Sequence, residues 1–173
     1  MPAYWLFLTD PADYPLERLF TRDREVWDGV FGTAAQKFLG QVRRADRIIG
    51  YHTAPDKQAR AVLEAVSDAY QNPELQQKNW VVDLRGVQLF PRPVPLAELR
   101  SNPRLRQMYL FRLVRPIAVS PLTAAEFNEI CRLGGLAPAG SRVLRRARLC
   151  TSPPVWTQLS FGSVVGPAGR GLC

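Results

Sequence analysis

The sequence predicts a mixed α/β fold in which a β-barrel of about five to six strands is flanked by short helices. Short stretches rich in aromatic and β-branched residues alternate along the chain with short amphipathic segments. The 173 residues are 46% hydrophobic, which is enough for one compact core. Hydrophobic periodicity ends at Gly134-Gly135, a typical signal for the end of a helix. We therefore expect one domain over residues 1–136 and a C-terminal tail over residues 137–173.

Local signals place most of the individual elements. Residues 4–8 predict a first strand, which Asp10-Pro11 ends because proline removes a ladder donor. Thr33 and Gln36 have the spacing of a capping box and predict a helix that stops near Arg43. The remaining predictions are strands over 47–51, over 80–90 with a bulge at Gly86 and a break at Pro91-Arg92-Pro93, and over 116–120, and a helix capped by Thr123 and Glu126.

Residues 56–70 are compatible with two kinds of structure. Their alanine, valine and leucine content favours a helix by propensity, and the apolar spacing is helical. Ala61, Leu63 and Ala65 also alternate with polar residues, as in a half-buried strand. From periodicity alone the helix is favoured.

The net charge of +8 is distributed unevenly along the chain. Residues 137–173 hold five arginines and no acid, so residues 1–136, with 18 basic and 15 acidic residues, carry only +3. We expect the tail to be a low-order extension rich in arginine, proline and glycine, with an arm that grips phosphates as the alternative. The total charge suggests a nucleic-acid partner, but the domain itself is only mildly basic.

Several functional classes find no support in the motifs. The first apolar run is short and lacks a basic leader, so we expect a soluble intracellular protein, cytoplasmic in a bacterium or nuclear in a eukaryote, with no membrane partner. Three widely spaced cysteines argue against a disulfide framework and a zinc site. No catalytic triad pattern, histidine-rich metal set or glycine-rich phosphate loop is evident, so we expect neither catalysis nor a cofactor.

Five stretches resemble, in order, the EVE domain family: residues 4–11, 27–30 (WDGV), 49–53 (IGYHT), 82–84 and 90–94. The resemblance covers about residues 3–135 and implies a PUA-like barrel related to YTH and ASCH domains. It also implies a strand in the ambiguous segment, because family members place one there before a loop ending in a dipeptide such as Asn72-Pro73. The chain departs from the family at two places near the expected pocket, with Leu8-Thr9-Asp10 for Lys-Ser-Glu and Phe31-Gly32 for Arg-Asn.

The candidate binding residues combine aromatic rings with polar groups. Trp27, which lies beside a glycine, and Tyr51 are expected to face each other across a gap that admits a flat base. Trp5 and Trp80 are interpreted as core residues instead. The polar edge of the base is expected to contact Thr9, Asp10, His52 and the backbone of Gly29 and Val30, with Arg112 at the rim of the pocket. Phosphate contacts are expected among six arginines: Arg85, Arg92, Arg104, Arg106, Arg112 and Arg115.

These residues predict a monomeric nucleic-acid-binding module that recognises a modified base in DNA or RNA. Methylated or hydroxymethylated cytosine and methylated adenine are the expected bases. One alternative is an RNA-cleaving nuclease of the ASCH type, with Asp28 and His52 as acid and base. The other is a barrel that binds a small molecule or a nucleotide.

Overall fold

A mixed seven-stranded sheet forms the body of the protein in the computed structural model, which describes residues 1–72 and 79–136. The strand order is β2-β6-β4-β3-β1-β7, with β5 paired to β6. β1 and β3 are parallel, and the other pairings among the described residues are antiparallel. The strands are β1 (Tyr4–Thr9), β2 (Glu25–Trp27), β3 (Arg47–His52), β4 (Gln58–Ala65), β5 (Tyr70–Gln71), β6 (Trp80–Pro95) and β7 (Val119–Leu122).

The sheet curls into a half-barrel whose ends are β2 and β7, which confirms the predicted mixed α/β class. The predicted tail, residues 137–173, lies outside the described residues, and the boundary at residue 136 stays a prediction. Short helices cover the sheet: α1 (Thr33–Leu39), α2 (Leu96–Ser101), α3 (Tyr109–Arg112) and α4 (Ala124–Leu133), with 3-10 turns at Leu16–Phe20 and Pro103–Leu105.

Side chains on the two faces of the sheet build two separate apolar clusters. On β1, Trp5 and Phe7 belong to one cluster, whereas Leu6 belongs to the other. On β3, Ile48 joins the first cluster and Tyr51 the second. This follows from the period of two in a strand, in which neighbouring side chains point to opposite faces.

The ambiguous segment is the strand β4, as the family resemblance implied. It pairs with β3 on one side and with β6 on the other, and Ala61, Leu63 and Ala65 are buried in the first cluster. The helical expectation from periodicity is wrong because pairing with two neighbouring strands supplies backbone hydrogen bonds along its length.

The predicted break at Pro91 and Pro93 is also wrong, since β6 runs through both residues. Leu89 lies opposite Ala61 and Val94 opposite Ala59, so the prolines fall where the register between β4 and β6 shifts. Proline is tolerated there because no hydrogen bond of the ladder requires a backbone N–H at that position. The bulge expected near Gly86 is confirmed by a second register shift between the same strands.

Helix α1 begins at Thr33 but lacks the predicted capping box. Gly32 occupies the cap position with a φ of 94°, and no side chain caps the helix. The Gln36 amide instead accepts from the Trp80 backbone N–H at 2.6 Å and donates to the Val30 carbonyl at 2.8 Å. α1 also ends at Leu39, earlier than expected, so this glutamine tethers the helix to β6 rather than closing its own first turn.

The other predictions about elements are largely confirmed. The capping box of Thr123 and Glu126 forms with both hydrogen bonds, and α4 ends at Leu133 before Gly134. Trp5 is buried and its indole N–H bonds Asp46 at 2.9 Å. Trp80 is not a core residue, because its side chain lies at the surface against Gly40. The predicted strand over 116–120 begins later, at Val119.

Candidate functional site

One end of the half-barrel contains a cavity of about 370 Å³, called here the acidic cavity. Residues 8–10, 13–14 and 25–31 line it. The chain therefore reaches it from the end of β1, from the segment after β1, and from β2 with the loop to α1. The structure brings five predicted site residues together here, namely Thr9, Asp10, Trp27, Gly29 and Val30.

Trp27 forms part of the wall of the acidic cavity and is also packed into the core, with 8% of its surface exposed. Its ring centroid lies 6.0 Å from that of Phe7 and 5.3 Å from that of Tyr14, the latter edge to face. These contacts fix the orientation of the indole, so its position at the cavity does not depend on a ligand.

Phe31 presents a second ring at the mouth of the acidic cavity. It is 71% exposed, although it is a large apolar side chain. The neighbouring Gly32 has a φ of 94°, a conformation that favours glycine, and open space surrounds Gly29. Phe31 was expected only as a departure from the family, although an aromatic residue between Gly29 and Gly32 is a signal that could have identified it.

Two polar atoms of residues lining the acidic cavity, the Tyr14 hydroxyl and Glu25 Oε2, are buried and have no hydrogen-bond partner outside this pair among the described residues. Burial raises the pKa of Tyr14, and the hydrogen bond and the charge of the Glu25 carboxylate raise it further, so the hydroxyl keeps its proton. The other carboxylate oxygen, Oε1, pairs with Arg22 at 3.2 Å. The hydroxyl and the carboxylate thus form a buried pair at the cavity wall, and no sequence motif had indicated either one.

The acidic cavity takes its name from four carboxylates in its lining, with no lysine, arginine or histidine among them. Asp10 accepts from the Ala12 backbone N–H at 2.9 Å and so stabilises the turn after β1. Arg18 lies outside the lining, with its guanidinium 5.0 Å from the centroid of the Tyr14 ring. This lining repels phosphate and favours uncharged or cationic groups. The four carboxylates belong to Asp10, Asp13, Glu25 and Asp28.

Tyr51 does not face Trp27 across this gap. The two rings belong to clusters on opposite faces of the sheet, and Tyr51 lines a different cavity. The expected pair of facing rings is therefore not formed, because β3 presents Tyr51 to the other face. Burial raises the pKa of Tyr51 to about 12, an effect that Arg100 partly offsets.

This second cavity, called here the basic cavity, has a volume of about 320 Å³. Its only charged lining residues are Lys57 and Arg100. Leu8, the residue next to Thr9 on β1, lines both cavities and separates them. Neither cation was a candidate in the sequence analysis. The rest of the lining consists of Tyr51, Thr53, Ala54, Leu96, Leu110, Phe111 and Pro116.

His52 is a structural residue outside both cavities. It is 2% exposed, its Nε2 accepts from the Leu16 backbone N–H at 3.1 Å, and its Nδ1 lies 3.0 Å from Asp56 Oδ2. An Nε2 that accepts carries no proton, so Nδ1 carries it and donates to Asp56. Both ring nitrogens are occupied, and the expected contact with a base edge is not available. Asp28 lines the acidic cavity instead, so the acid and base of the nuclease alternative are not brought together.

Arg112 does not line either cavity. It is the last residue of α3, and its Nε donates to the Gln107 carbonyl at 2.9 Å. Of the other expected phosphate contacts, three are engaged in ion pairs: Arg85 with Glu64, Arg92 with Glu98, and Arg104 with Glu129. Arg100, which was not among the expected contacts, lines the basic cavity.

Within residues 1–72 and 79–136, no group of three or more histidine, cysteine, aspartate or glutamate side chains could hold a metal ion. No helix in this part of the chain is long and apolar enough to cross a membrane.

Comparison with known proteins gives one family and a set of solved structures. The model of the EVE domain matches residues 3–133. A Rhodopseudomonas palustris protein solved by NMR is 31% identical, with a TM-score of 0.71 over 77% of this chain and 93% of its own. An Agrobacterium tumefaciens crystal structure is 29% identical, with a TM-score of 0.73 over 78% and 94% of the two chains.

A human protein is similar over much of its length. Thymocyte nuclear protein 1 of Homo sapiens is 24% identical over 174 residues, which cover 80% of this chain and 77% of that protein. Its crystal structure in complex with DNA containing 5-methylcytosine has a TM-score of 0.68, at 24% identity, and the match covers 79% of this chain and 99% of that one.

Proposed function

Because this chain belongs to the EVE domain family, we propose that it is a monomeric binding module that holds a modified nucleic-acid base in the acidic cavity and catalyses no reaction. The family match confirms the resemblance seen in the sequence, and with the half-barrel it confirms the PUA-like fold. The structure of thymocyte nuclear protein 1 with 5-methylcytosine DNA supports this ligand class. The bases proposed are methylated or hydroxymethylated cytosine and methylated adenine.

The observation that carries the proposal is the position of two rings at one cavity. Trp27 is fixed in the wall, and Phe31 stands exposed at the mouth. Stacking on an aromatic ring contributes about 1 to 3 kcal/mol per base, and extruding a base from a duplex costs a few kcal/mol. One ring would roughly balance that cost. A second ring together with hydrogen bonds makes binding of an extruded base favourable.

The Tyr14–Glu25 pair suits a base that carries an amino group beside an acceptor nitrogen. A base that opens the contact between these two buried groups meets Glu25 Oε2 as an acceptor for its amino group and the protonated Tyr14 hydroxyl as a donor for its ring nitrogen. Cytosine and adenine both present this edge, whereas thymine and uracil present a carbonyl and an N–H. Val26 and Val30 supply apolar surface in the same cavity for a methyl substituent.

The charge of the acidic cavity also selects which part of a nucleotide can enter it. Its four carboxylates disfavour a phosphate inside the cavity, so only the uncharged base of a nucleotide is expected to enter. The backbone must then remain outside, at the rim. This is the arrangement that base extrusion produces.

A titration with modified oligonucleotides tests the proposal. We expect tighter binding of strands with 5-methylcytosine, 5-hydroxymethylcytosine or N6-methyladenine than of the same strand with thymine at that position. Replacing Glu25→Gln should reduce this preference roughly fivefold, because a charge-assisted hydrogen bond is lost. Glu98→Gln, which removes the same charge outside the acidic cavity, is the matched control. Equal, weak binding of all strands by the wild-type protein would discard the proposal.

A small organic cation is the second candidate ligand, and the same cavity favours it. Tyr14, Trp27 and Phe31 together with the carboxylates resemble the chemistry that binds quaternary ammonium groups. If the ligand is a small cation, tetramethylammonium should compete with the oligonucleotide, and the protein would then be a small-molecule-binding barrel. If the ligand is a neutral base, tetramethylammonium should not compete at millimolar concentration.

A further inference from the structure

We propose that the basic cavity binds the phosphate-bearing nucleotide that adjoins the base held in the acidic cavity, so that the domain contacts two successive nucleotides of one strand. This inference rests on the proposed function. It assigns a ligand to a cavity on the opposite face of the sheet from Trp27, where none of the expected phosphate-binding arginines lies.

The charges of the basic cavity are those that a phosphate requires. Lys57 and Arg100 are both exposed, and no acidic residue lines the cavity. Within residues 1–72 and 79–136, neither cation forms an ion pair, in contrast to Arg85, Arg92 and Arg104. Their charges are therefore not neutralised by a neighbouring carboxylate, and an anionic ligand would be the first to meet them.

Lys57 is held in place by its backbone. Its φ is 48°, in the left-handed region that non-glycine residues rarely adopt. Its N–H donates to the Thr53 carbonyl and its carbonyl accepts from the Leu96 N–H, both at 2.8 Å. The start of α2 and the turn after β3 are thereby linked through this residue. The ammonium group is consequently attached to a well-defined point of the rim, which lowers the ordering cost of binding.

The interior of the basic cavity suits the heterocycle and sugar of a nucleotide. Tyr51 and Phe111 contribute aromatic surface, and the Arg100 guanidinium lies 5.7 Å from the centroid of the Phe111 ring. The Tyr51 hydroxyl has no hydrogen-bond partner in the described part of the chain and is not sealed off from solvent. A protonated phenol is a donor for a sugar or base oxygen.

The position of Leu8 connects the two cavities. This residue lines both of them, at the point where β1 and β3 run side by side as Leu8 and Tyr51. The side chain of Leu8 packs on the Tyr51 face, so the two cavities adjoin at the end of β1, where a strand that inserts a base into one brings its next nucleotide towards the other. The acidic cavity repels the phosphate and the basic cavity attracts it. The charges therefore place the base in the acidic cavity and the phosphate-bearing nucleotide in the basic cavity.

The test compares a double variant, Lys57→Gln with Arg100→Gln, with a control double variant, Lys37→Gln with Arg44→Gln. Both lose two exposed positive charges, but only the first loses them from the basic cavity. Binding of a single strand with one 5-methylcytosine is measured across a salt series, alongside binding of 5-methyl-2′-deoxycytidine, which has no phosphate. Thermal unfolding checks that each variant folds.

We expect the Lys57 and Arg100 variant to bind the oligonucleotide roughly tenfold more weakly or worse. Its plot of log affinity against log salt should be shallower by about 0.7 to 0.9, the contribution of one phosphate. Its affinity for the nucleoside should equal that of the wild-type protein.

Three results would overturn the inference. If both double variants behave alike towards the oligonucleotide while the nucleoside still binds, the basic cavity holds no phosphate and the proposed function stands. If the wild-type protein binds neither ligand, the proposed function fails and this inference with it. If unmodified deoxyadenosine monophosphate binds, and Lys57→Gln with Arg100→Gln abolishes that binding but Phe31→Ala does not, the basic cavity is an independent nucleotide site.

Discussion

Phe31 offers the sharpest test of the proposed base site, because the residue is exposed and its loss should not affect folding. Full burial of a phenylalanine side chain is worth about 1.5 to 3 kcal/mol. Since 71% of Phe31 is exposed, Phe31→Ala should reduce the free energy of unfolding by less than about 1 kcal/mol. The melting temperature should then fall by no more than about 4 °C.

The effect of Phe31→Ala on base binding should be much larger. Loss of one stacking ring removes about 1 to 3 kcal/mol, which corresponds to an affinity lower by a factor of roughly 5 to 150. Phe31→Tyr retains the ring and should keep most of the affinity. Phe31→Leu retains apolar surface without the ring and should fall between the two. Fluorescence anisotropy with an oligonucleotide that contains one 5-methylcytosine measures all three.

The control for Phe31→Ala is Val114→Ala, which truncates another exposed apolar side chain that lines neither cavity. It should change neither stability nor affinity. If Phe31→Ala melts like the wild-type protein and binds within twofold of it, Phe31 does not stack on the ligand. The acidic cavity would then have a single ring, which is too little to offset base extrusion.

Three further substitutions test separate parts of the argument. His52→Ala should lower the free energy of unfolding by about 1 to 3 kcal/mol in urea titrations, because the Leu16 N–H loses its acceptor. Its affinity for the base should stay within twofold of the wild-type value. A selective loss of affinity would show that His52 contacts the ligand. Asp46→Ala removes an acceptor of three hydrogen bonds and should cost about 2 to 5 kcal/mol, with a smaller loss for Asp46→Asn. Hydrogen bonds from Arg132 and Asn102 hold the pKa of Glu129 at about 2, below its ordinary 4.5, so its stabilisation is full above pH 4.5 and is lost as the pH falls towards 2. The stability difference between the wild-type protein and Glu129→Gln should therefore shrink over that interval, and a constant difference would contradict the lowered pKa.

Some parts of the site were accessible from the sequence because they lie close together along the chain. Trp27, Gly29 and Val30 follow one another, and Thr9 and Asp10 end the first strand, so a short local pattern contained most of the acidic cavity. Phe31 belongs to the same pattern but was assigned to the departures from the family. Tyr14 and Glu25 had no such signal, since what distinguishes them is their burial next to each other.

The wrong predictions share one physical cause, which is pairing between distant parts of the chain. Gln36 has the spacing of a capping residue but bonds Trp80, which lies 44 residues away. Tyr51 was placed opposite Trp27 as the second ring of a stacking slot, which a local pattern can suggest but cannot locate. On β3, Tyr51 lies two residues after Ile49 and shares its cluster, on the opposite face from Trp27. Which face of β3 lies beside Trp27 is decided by strand pairing and not by residue type.

The sequence by itself determined the family, the mixed α/β class and the local segments that surround the acidic cavity, because these depend on motifs and on short-range periodicity. Periodicity alone left 58–65 ambiguous, and the family resemblance was needed to imply the strand that the structure has there. The tertiary structure alone decided that Trp27 and Tyr51 lie on opposite faces, and that Lys57 and Arg100 share a cavity with Tyr51. These facts depend on strand order and register. Both are set by hydrogen bonds and burial between residues far apart in the chain, which no local pattern records.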